Sequence, residues 1–201
     1  MDKCSHDTPV EICVINGVKV WAGNINSPLY FVDSPNSLVL NLTGKKHKPD
    51  LPKSLEDCHY FLFQEIHLDV PDGSIPSVDP RFWTKIISYC TKKGIRDLLV
   101  HCEVGHGRTG TVLCALLMAN LNKTMSESVE FVRRVFCQEA VETELQISYL
   151  RWLNNSVYKR VDDTKELLGS IARNILSGFA LAKDLSLLEE AEEVAELEDF
   201  L

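Results

Sequence analysis

The first half of the chain places its apolar residues in short runs that are typical of β-strands. Residues 11–22 contain two such runs around Asn16-Gly17, a dipeptide that readily adopts the positive φ angles of a tight turn, so we expect a hairpin there. The apolar stretches at residues 37–42 and 60–68 end at turn-forming residues, which predicts two buried strands.

Helical spacing of apolar residues begins after these stretches. Residues 82–90 repeat apolar side chains at that spacing, and Gly94 then ends the pattern as a helix C-terminus would. Residues 97–101 form a short strand-like run that leads into a glycine-rich loop. Residues 113–121 beyond the loop are apolar on nearly every face, which predicts a buried helix.

Two further helices are predicted after the buried one. Thr124 and Glu127 form a capping box ahead of the first, and residues 144–158 repeat apolar positions at helical spacing in the second. Early strands that alternate with helices and are then followed by helices argue for an α/β architecture, with a sheet packed between helix layers.

The C-terminal segment has a pattern of its own. Residues 163–201 carry apolar residues at helical spacing beneath an acidic face, which predicts helices with an apolar stripe to bury. We favour docking on the protein's own body for residues 163–182, and helix-mediated binding of a partner or self-association remains open for the rest. We therefore expect a domain over residues 1–160 and a helical extension over residues 161–201.

The formal net charge of −8 is concentrated in this C-terminal segment. Residues 183–201 contain eight acidic residues and one lysine, so the rest of the chain carries a formal charge of −1. A nearly neutral body lacks the basic stripe that neutralises nucleic-acid phosphates, and nucleic acid is disfavoured as a partner.

The N-terminus and the cysteines indicate in which cellular compartment the protein is expected. The first residues include acids where a signal peptide has a basic flank, and no apolar run approaches the ~20 residues of a membrane span, so we expect a cytoplasmic protein without membrane contact. The seven cysteines are odd in number and lack CxxC pairs. This spacing predicts neither a disulfide framework nor a zinc knuckle.

The segment with the clearest chemistry runs from Cys102 to Arg108, between the predicted strand and the buried helix. Five intervening residues can curl so that backbone N–H groups surround an anion, and Gly105 and Gly107 permit the backbone angles that such a curl requires. The loop therefore predicts a phosphate site. Its phosphate-binding residues would be Glu103, Val104, Gly105, His106, Gly107 and Arg108.

The side chains at this site favour nucleophilic catalysis. The Arg108 guanidinium can bind two phosphoryl oxygens, and together with helix-start amides it favours the thiolate form of Cys102. His101 can support the loop through a ring hydrogen bond, and the Thr109 hydroxyl can donate to the sulfur. Cys90 and Arg96 have the same spacing but span the end of one predicted helix and the start of a strand, so spacing alone is weak evidence.

The motif His101-Cys102-x5-Arg108-Thr109-Gly110 resembles that of the cysteine-based protein-tyrosine phosphatase superfamily, in particular its small dual-specificity branch. Residues 138–146 contain Ala-Val-Glu-Thr followed by Gln, as family members often do, and the resemblance covers roughly residues 18–158. It implies an α/β fold with a central, mostly parallel sheet. It also implies hydrolysis of phosphomonoesters through a phosphocysteine, with no metal or other cofactor.

The resemblance also implies a general acid on a separate loop, since the leaving oxygen must be protonated as its bond to phosphorus breaks. Asp72, in a Pro-Asp-Gly turn, is the first candidate, ahead of Asp69 and Asp79. Because Glu103 stands where phosphoinositide-specific relatives tend to have basic residues, a phosphorylated protein is the expected substrate. A phosphate-reading binding module and an RNA 5′-phosphatase are the alternatives.

Overall fold

Residues 6–31, 34–44 and 63–156 are described by the structure, a computed structural model, and they belong to one compact unit. Residues 60–62 of one predicted strand lie outside the described residues, as does the predicted extension over 161–201. The strands within the described residues are β1 Val10–Ile15, β2 Val18–Gly23, β3 Ser37–Asn41, β4 Gln64–His67 and β5 Asp97–His101.

The predicted hairpin is formed by β1 and β2, which pair antiparallel. Asn16 and Gly17 have φ angles of 49° and 81°, so both turn residues lie in the left-handed region, which Asn and Gly adopt more readily than other residues. The turn chemistry of this dipeptide therefore sets the register in which the chain enters the sheet.

The five strands of the described residues form one sheet in the order β1-β2-β5-β3-β4. Only the β1–β2 pair is antiparallel, and the β2–β5, β5–β3 and β3–β4 pairs are parallel. The prediction of a central, mostly parallel sheet is confirmed. Because β2, β5, β3 and β4 run in the same direction, the loops that follow them meet at one edge of the sheet, where open α/β proteins bind ligands.

The second predicted buried strand differs from the expectation. All five residues of β3 are buried, but in β4 Gln64 and His67 are exposed and the other two residues are only half-buried. The cause is position: β4 is an edge strand with a neighbour on one side only, and an edge is commonly protected by polar residues.

The predicted helices are present in the described residues, and their boundaries follow the expected signals. Gly94, with a φ of 69°, ends the first of them, and the capping box between Thr124 and Glu127 starts the third. We number the helices α1 Phe82–Lys93, α2 Gly107–Leu121, α3 Met125–Val135 and α4 residues 144–156.

The four helices contribute to one core cluster against the sheet. This cluster contains Leu38 and Leu98 of the central strands together with Trp83 of α1, Leu113 of α2 and Leu150 of α4. The opposite side chains of the same strands, Val39 and Leu99, pack with Phe63 and with Phe31 of the 3-10 helix Ser27–Phe31. Both faces of the central strands are therefore covered, as a parallel sheet requires.

None of the helices within the described ranges combines the length and the apolar character that a bilayer crossing requires.

Candidate active site

Cys102 directly follows the central strand β5, at the edge where the loops after the parallel strands meet. Its side chain is buried, with 2% of the residue exposed. The backbone N–H of Leu42, after β3, donates to the carbonyl O of His101 at 2.9 Å, and Gly23 of β2 is in register with His101. Strands on both sides therefore fix the point at which Cys102 leaves the sheet.

The chain reverses direction sharply after Cys102, and Gly105 makes this possible. Gly105 has a φ of +99°, and its N–H donates to the Sγ of Cys102 at 3.2 Å. A Cβ at this position would lie 2.9 Å from the carbonyl O of Gly23. Both the backbone angle and the close approach of β2 therefore require glycine here.

The sulfur of Cys102 lies beside backbone N–H groups of the loop and of the start of α2. The sulfur accepts the Gly105 amide, and α2 begins at Gly107 with its N-terminal N–H groups in the same loop. Burial raises the pKa of two other cysteines, Cys90 and Cys114, to about 12. Burial, with Glu11 as a further cause, raises the pKa of Cys13 to about 11.

Arg108 lies in the first turn of α2 and is held by the loop that follows β4. Its Nη1 donates to the carbonyl O of Val70 at 3.1 Å, and its Nη2 lies 3.0 Å from the Oδ1 of Asp72. The guanidinium is almost fully buried, whereas the Asp72 side chain is 90% exposed. A buried cation is thus paired with a carboxylate that solvent, and hence a substrate, can reach.

The structure separates the three candidate acids. Asp72 lies in a turn in which the N–H of Ser74 donates to the carbonyl O of Pro71 at 3.0 Å, and this turn brings it to Arg108. The Asp69 carboxyl lies against Gly44, and Asp79 accepts hydrogen bonds from the backbone and side chain of Arg81.

His101 and Thr109 flank the nucleophile on either side of the loop. The His101 ring is fully buried, with its Nδ1 3.2 Å from the carbonyl O of Cys102, a geometry that supports the loop when Nδ1 carries the proton. The Oγ1 of Thr109 is buried and has no hydrogen-bond partner within the described residues. Its hydroxyl is therefore free to donate to a sulfur or phosphoryl atom that forms during a reaction.

Gly107 differs from the expectation in two respects. Its φ angle is not among the positive ones, so it is not needed for an unusual backbone angle. Instead, a Cβ here would lie 2.2 Å from the Oε2 of Glu142, an atom that accepts the Gly107 N–H at 3.0 Å. This amide therefore binds the Glu142 carboxylate and supports the loop, where we expected it to face a bound anion.

The remaining loop residues differ in exposure: Glu103 and Val104 are exposed, whereas His106 is largely buried. Glu103 is exposed, and its carbonyl O accepts the N–H of Ile25 at 3.3 Å. Val104 is 55% exposed, which gives the loop an apolar rim. The Nδ1 of His106 lies 3.7 Å from the Oε1 of Glu142, so one carboxylate contacts two successive loop residues.

The start of α4 ties the loop of Asp72 to the rest of the site. Thr143 and Gln146 form a reciprocal cap, in which the Gln146 N–H donates to the Thr143 Oγ1 at 3.2 Å and the Thr143 N–H donates to the Gln146 Oε1 at 3.3 Å. Each also reaches the turn: the Thr143 hydroxyl donates to the carbonyl O of Gly73 at 2.9 Å, and the Gln146 Nε2 to that of Ser74 at 3.2 Å.

Glu142 is delivered by a strained segment within residues 138–146, whose contacts with the Cys102–Arg108 loop the sequence did not predict. Val141 has a φ of 63°, which is uncommon for a β-branched residue and persists only when the surroundings enforce it. Arg133 of α3 provides this support by donating to the carbonyl O atoms of Ala140 and Val141 at 3.0 and 3.2 Å. The family resemblance at residues 138–146 was the one feature of the sequence that pointed to this segment.

A histidine that precedes β1 also packs against the loop. The His6 ring is buried and contacts the ring of His106 edge-on, at 4.9 Å between centroids. Burial, with the neighbouring His106 as a further cause, lowers the pKa of His6, and Asp7 opposes this effect. Nothing in the sequence pattern had connected His6 with residue 106.

Comparison with protein families gives a match over most of the described region. The family described as "Dual specificity phosphatase, catalytic domain" matches residues 37–156, which include β3 to α4 and the whole Cys102–Arg108 loop.

The chain also resembles individual proteins, over part of its length. Two uncharacterized proteins of Methanocaldococcus jannaschii are both 38% identical to it. MJECL20 matches over 86 residues, or 42% of this chain, and MJ0215 over 91 residues, or 43% of this chain. The chain spans 56% and 55% of their respective lengths. A crystal structure of a mutant form of Tk-PTP is similar with a TM-score of 0.54 and 26% identity, over 73% of this chain and 95% of that one.

Proposed function

Because the family match spans more than half of the chain, this protein belongs to the dual specificity phosphatase family, and we propose that it hydrolyses phosphomonoesters through a phosphocysteine at Cys102. The observation that carries the proposal is the Gly105 N–H donating to the Cys102 sulfur at 3.2 Å, in a loop that ends at a buried arginine paired with an exposed carboxylate. A nucleophile, an anion-binding cation and a proton donor are thereby held within one site.

In the first step, the Cys102 thiolate attacks phosphorus and forms an S–P bond while the P–O bond to the leaving group breaks. Asp72, in its protonated form, gives its proton to the departing oxygen. Arg108 and the loop amides bind the equatorial oxygens, and their hydrogen bonds strengthen as charge spreads over these atoms.

In the second step, water attacks the phosphocysteine and the S–P bond breaks, which releases phosphate and restores the thiolate. Asp72, now a carboxylate, takes the proton of the attacking water. The Thr109 hydroxyl, which has no hydrogen-bond partner among the described residues, is suited to donate to the sulfur as its negative charge returns.

We propose phosphorylated protein side chains as the substrate class. Glu103 and Val104 give the loop an acidic and an apolar residue at its exposed rim, and Arg108 is its one permanently cationic residue. A phosphoinositide or an RNA 5′ end presents further phosphates, which a rim of this kind does not attract.

The test measures hydrolysis of a small aryl phosphate in the presence of EDTA, followed by mass spectrometry of rapidly quenched protein. We expect turnover in the parent and a phosphoryl group on the Cys102 peptide. Cys102→Ser should lower kcat/KM on the order of 10⁴-fold or more, as loss of a nucleophile does. Cys90→Ser is the matched control, since Cys90 has the same spacing to an arginine, and it should keep full activity.

The substrate class is tested with phosphotyrosine and phosphoserine peptides beside a phosphoinositide and an RNA 5′-phosphate. A higher kcat/KM for the peptides supports the proposal, and a preference for RNA or lipid contradicts the substrate class alone. Turnover that survives Cys102→Ser contradicts the mechanism. Binding of phosphopeptides without any turnover would identify a recognition module instead.

A further inference from the structure

Three metal-binding side chains meet beside the Cys102–Arg108 loop, although they are far apart in sequence. His6 precedes β1, His106 lies within the loop, and Cys137 follows α3. One potential ligand atom from each lies within 4.8 Å of the other two. Tetrahedral zinc bound by imidazole and thiolate separates its ligand atoms by about 3.5 Å, so side-chain adjustments of roughly 1 Å would close the site.

His6 contributes the observation that points to a ligand. His6 is 4% exposed, and its Nε2 is buried with no hydrogen-bond partner in the part of the chain that the structure describes. A buried polar atom without a partner costs stability, so a retained one calls for an explanation. A lone pair on a neutral imidazole nitrogen is what a transition metal binds.

The backbone around His6 is held in place by hydrogen bonds to the turn after β2. The carbonyl O of His6 accepts the N–H of Asn24 at 3.0 Å and the hydroxyl of Ser27 at 2.8 Å. The next residue, Asp7, accepts the side-chain amide of Asn24 at 2.7 Å. The segment is thus fastened to the turn after β2, with its ring directed at the loop.

Glu142 supplies the support that metal-bound histidines usually have. Its Oε1 lies 3.7 Å from the Nδ1 of His106, an ion-pair distance, which leaves the Nε2 of His106 as the nitrogen we assign to the ligand set. A carboxylate behind a histidine fixes the ring and increases its basicity, as in many zinc sites.

We propose that His6, His106 and Cys137 form a zinc site that fastens the N-terminal segment and α3 to the phosphate-binding loop. Two imidazoles and one thiolate suit Zn²⁺, with a fourth position left for water. The site is separate from the nucleophile, because Cys102 is not one of its ligands. The metal would join the N-terminal segment and the residue after α3 to His106 of the loop. Metal binding would therefore be coupled to the conformation of the loop.

The experiment titrates the full chain carrying Cys102→Ser with Zn²⁺ by calorimetry and with Co²⁺ by absorption spectroscopy. The Cys102→Ser background keeps the nucleophile from binding metal. We expect one equivalent of either metal and a thiolate-to-cobalt absorption band. Cys137→Ser should abolish that band, and His6→Ala should weaken Zn²⁺ binding on the order of 10²-fold while the band persists at saturating Co²⁺.

Thermal unfolding gives a second readout and checks that the variants fold. Zn²⁺ should raise the Tm of the Cys102→Ser protein and leave that of the Cys137→Ser double variant nearly unchanged. Should Cys137→Ser not fold, His6→Ala alone still decides through its lost affinity. Binding that is unaffected by His6→Ala, a band that survives Cys137→Ser, or no stoichiometric binding would each overturn the proposal. Neither readout depends on turnover, so the phosphatase proposal stands or falls separately.

Discussion

The guanidinium of Arg108 lies 3.0 Å from the carboxylate of Asp72, and it also donates to the carbonyl O of Val70 two residues earlier. One buried side chain thus holds both the backbone and the acid of the loop after β4. A phosphoryl group entering the site would compete with Asp72 for this guanidinium. Its arrival would therefore release the carboxyl group toward the leaving oxygen, where a general acid is needed.

Asp72→Asn should lower kcat by about 10² to 10⁴-fold, because the amide occupies the same place but cannot donate a proton to an alkoxide or phenoxide. The loss should be much smaller with an aryl phosphate whose leaving group needs no protonation. The parent should show a bell-shaped kcat/KM profile against pH, and the variant should lose its alkaline limb. Steady-state kinetics with two aryl phosphates of different leaving-group basicity measures both effects.

The other candidate acids provide the controls. Asp69→Asn and Asp79→Asn should retain the alkaline limb, because the first side chain lies against Gly44 and the second binds Arg81. An Asp69→Asn variant that lost the limb while Asp72→Asn kept it would reassign the general acid.

Features encoded by neighbouring residues could be predicted from the sequence. The Asn16-Gly17 turn, the glycine that ends α1 and the capping box at Thr124 each depend on backbone angles or hydrogen bonds within four residues. The loop from Cys102 to Arg108 belongs to the same class, because its glycine and its helix start are local. Short-range chemistry was therefore sufficient to locate the candidate nucleophile.

Contacts between distant residues could not be predicted in the same way. The Gln146–Ser74 hydrogen bond joins residues 72 positions apart, and the Gly107–Glu142 bond joins residues 35 apart. The place of β4 at the sheet edge depends on which strands pair, although its polar residues Gln64 and His67 are consistent with that place. The cluster of His6, His106 and Cys137 likewise exists only after the chain has folded.

Alkylation should distinguish Cys102 from the structural cysteines. At neutral pH a small iodoacetamide-type reagent should modify Cys102 first, because it is the proposed nucleophile and its sulfur accepts the Gly105 N–H beside the start of α2. Burial raises the pKa of Cys90 and of Cys114 to about 12, so both remain neutral thiols until the pH is strongly alkaline. Peptide mass spectrometry over time measures the order of labelling.

Inorganic phosphate or vanadate should slow labelling of Cys102 and leave the rates at Cys90 and Cys114 unchanged. Equal rates at all three positions in the native protein would argue against an activated sulfur. Loss of the difference after denaturation is expected, since the environments that create it are then absent.

Gln146→Glu should uncouple the loop of Asp72 from α4. The new carboxylate can still accept the Thr143 N–H, but it cannot donate to the carbonyl O of Ser74, and this half-buried carbonyl would be left unpaired. We expect a loss of about 1–3 kcal/mol in the free energy of unfolding and a lower kcat with little change in KM. Denaturant unfolding and steady-state kinetics are the measurements.

Glu144 provides the matched control, because it is exposed on the same helix two residues earlier. Glu144→Gln makes the reverse change and should alter neither stability nor kcat appreciably. If Gln146→Glu lowered stability while kcat stayed at the parental value, the side chain would be a packing residue with no part in positioning Asp72.

Gly110→Ala should destabilise the fold, because α2 passes very close to the segment that delivers Glu142. A Cβ on Gly110 would lie 2.7 Å from the Cβ of Ala140 and 3.0 Å from the backbone N of Val141. Backbone atoms cannot move aside as the end of a flexible side chain can, so we expect a cost of about 1–3 kcal/mol, as for other overpacked cores. Thermal unfolding should show a Tm lower by about 2–4 °C per kcal/mol.

Rescue by Ala140→Gly tests whether this contact is the cause. Removing the Ala140 Cβ eliminates the shortest of the three contacts and leaves the backbone contacts at 3.0 Å, so the double variant should regain part of the lost stability. A double-mutant cycle with both single variants isolates that coupling. Strictly additive effects would mean that Gly110 is required for a reason other than the approach of Ala140, and the close packing of α2 against this segment would then not explain the glycine.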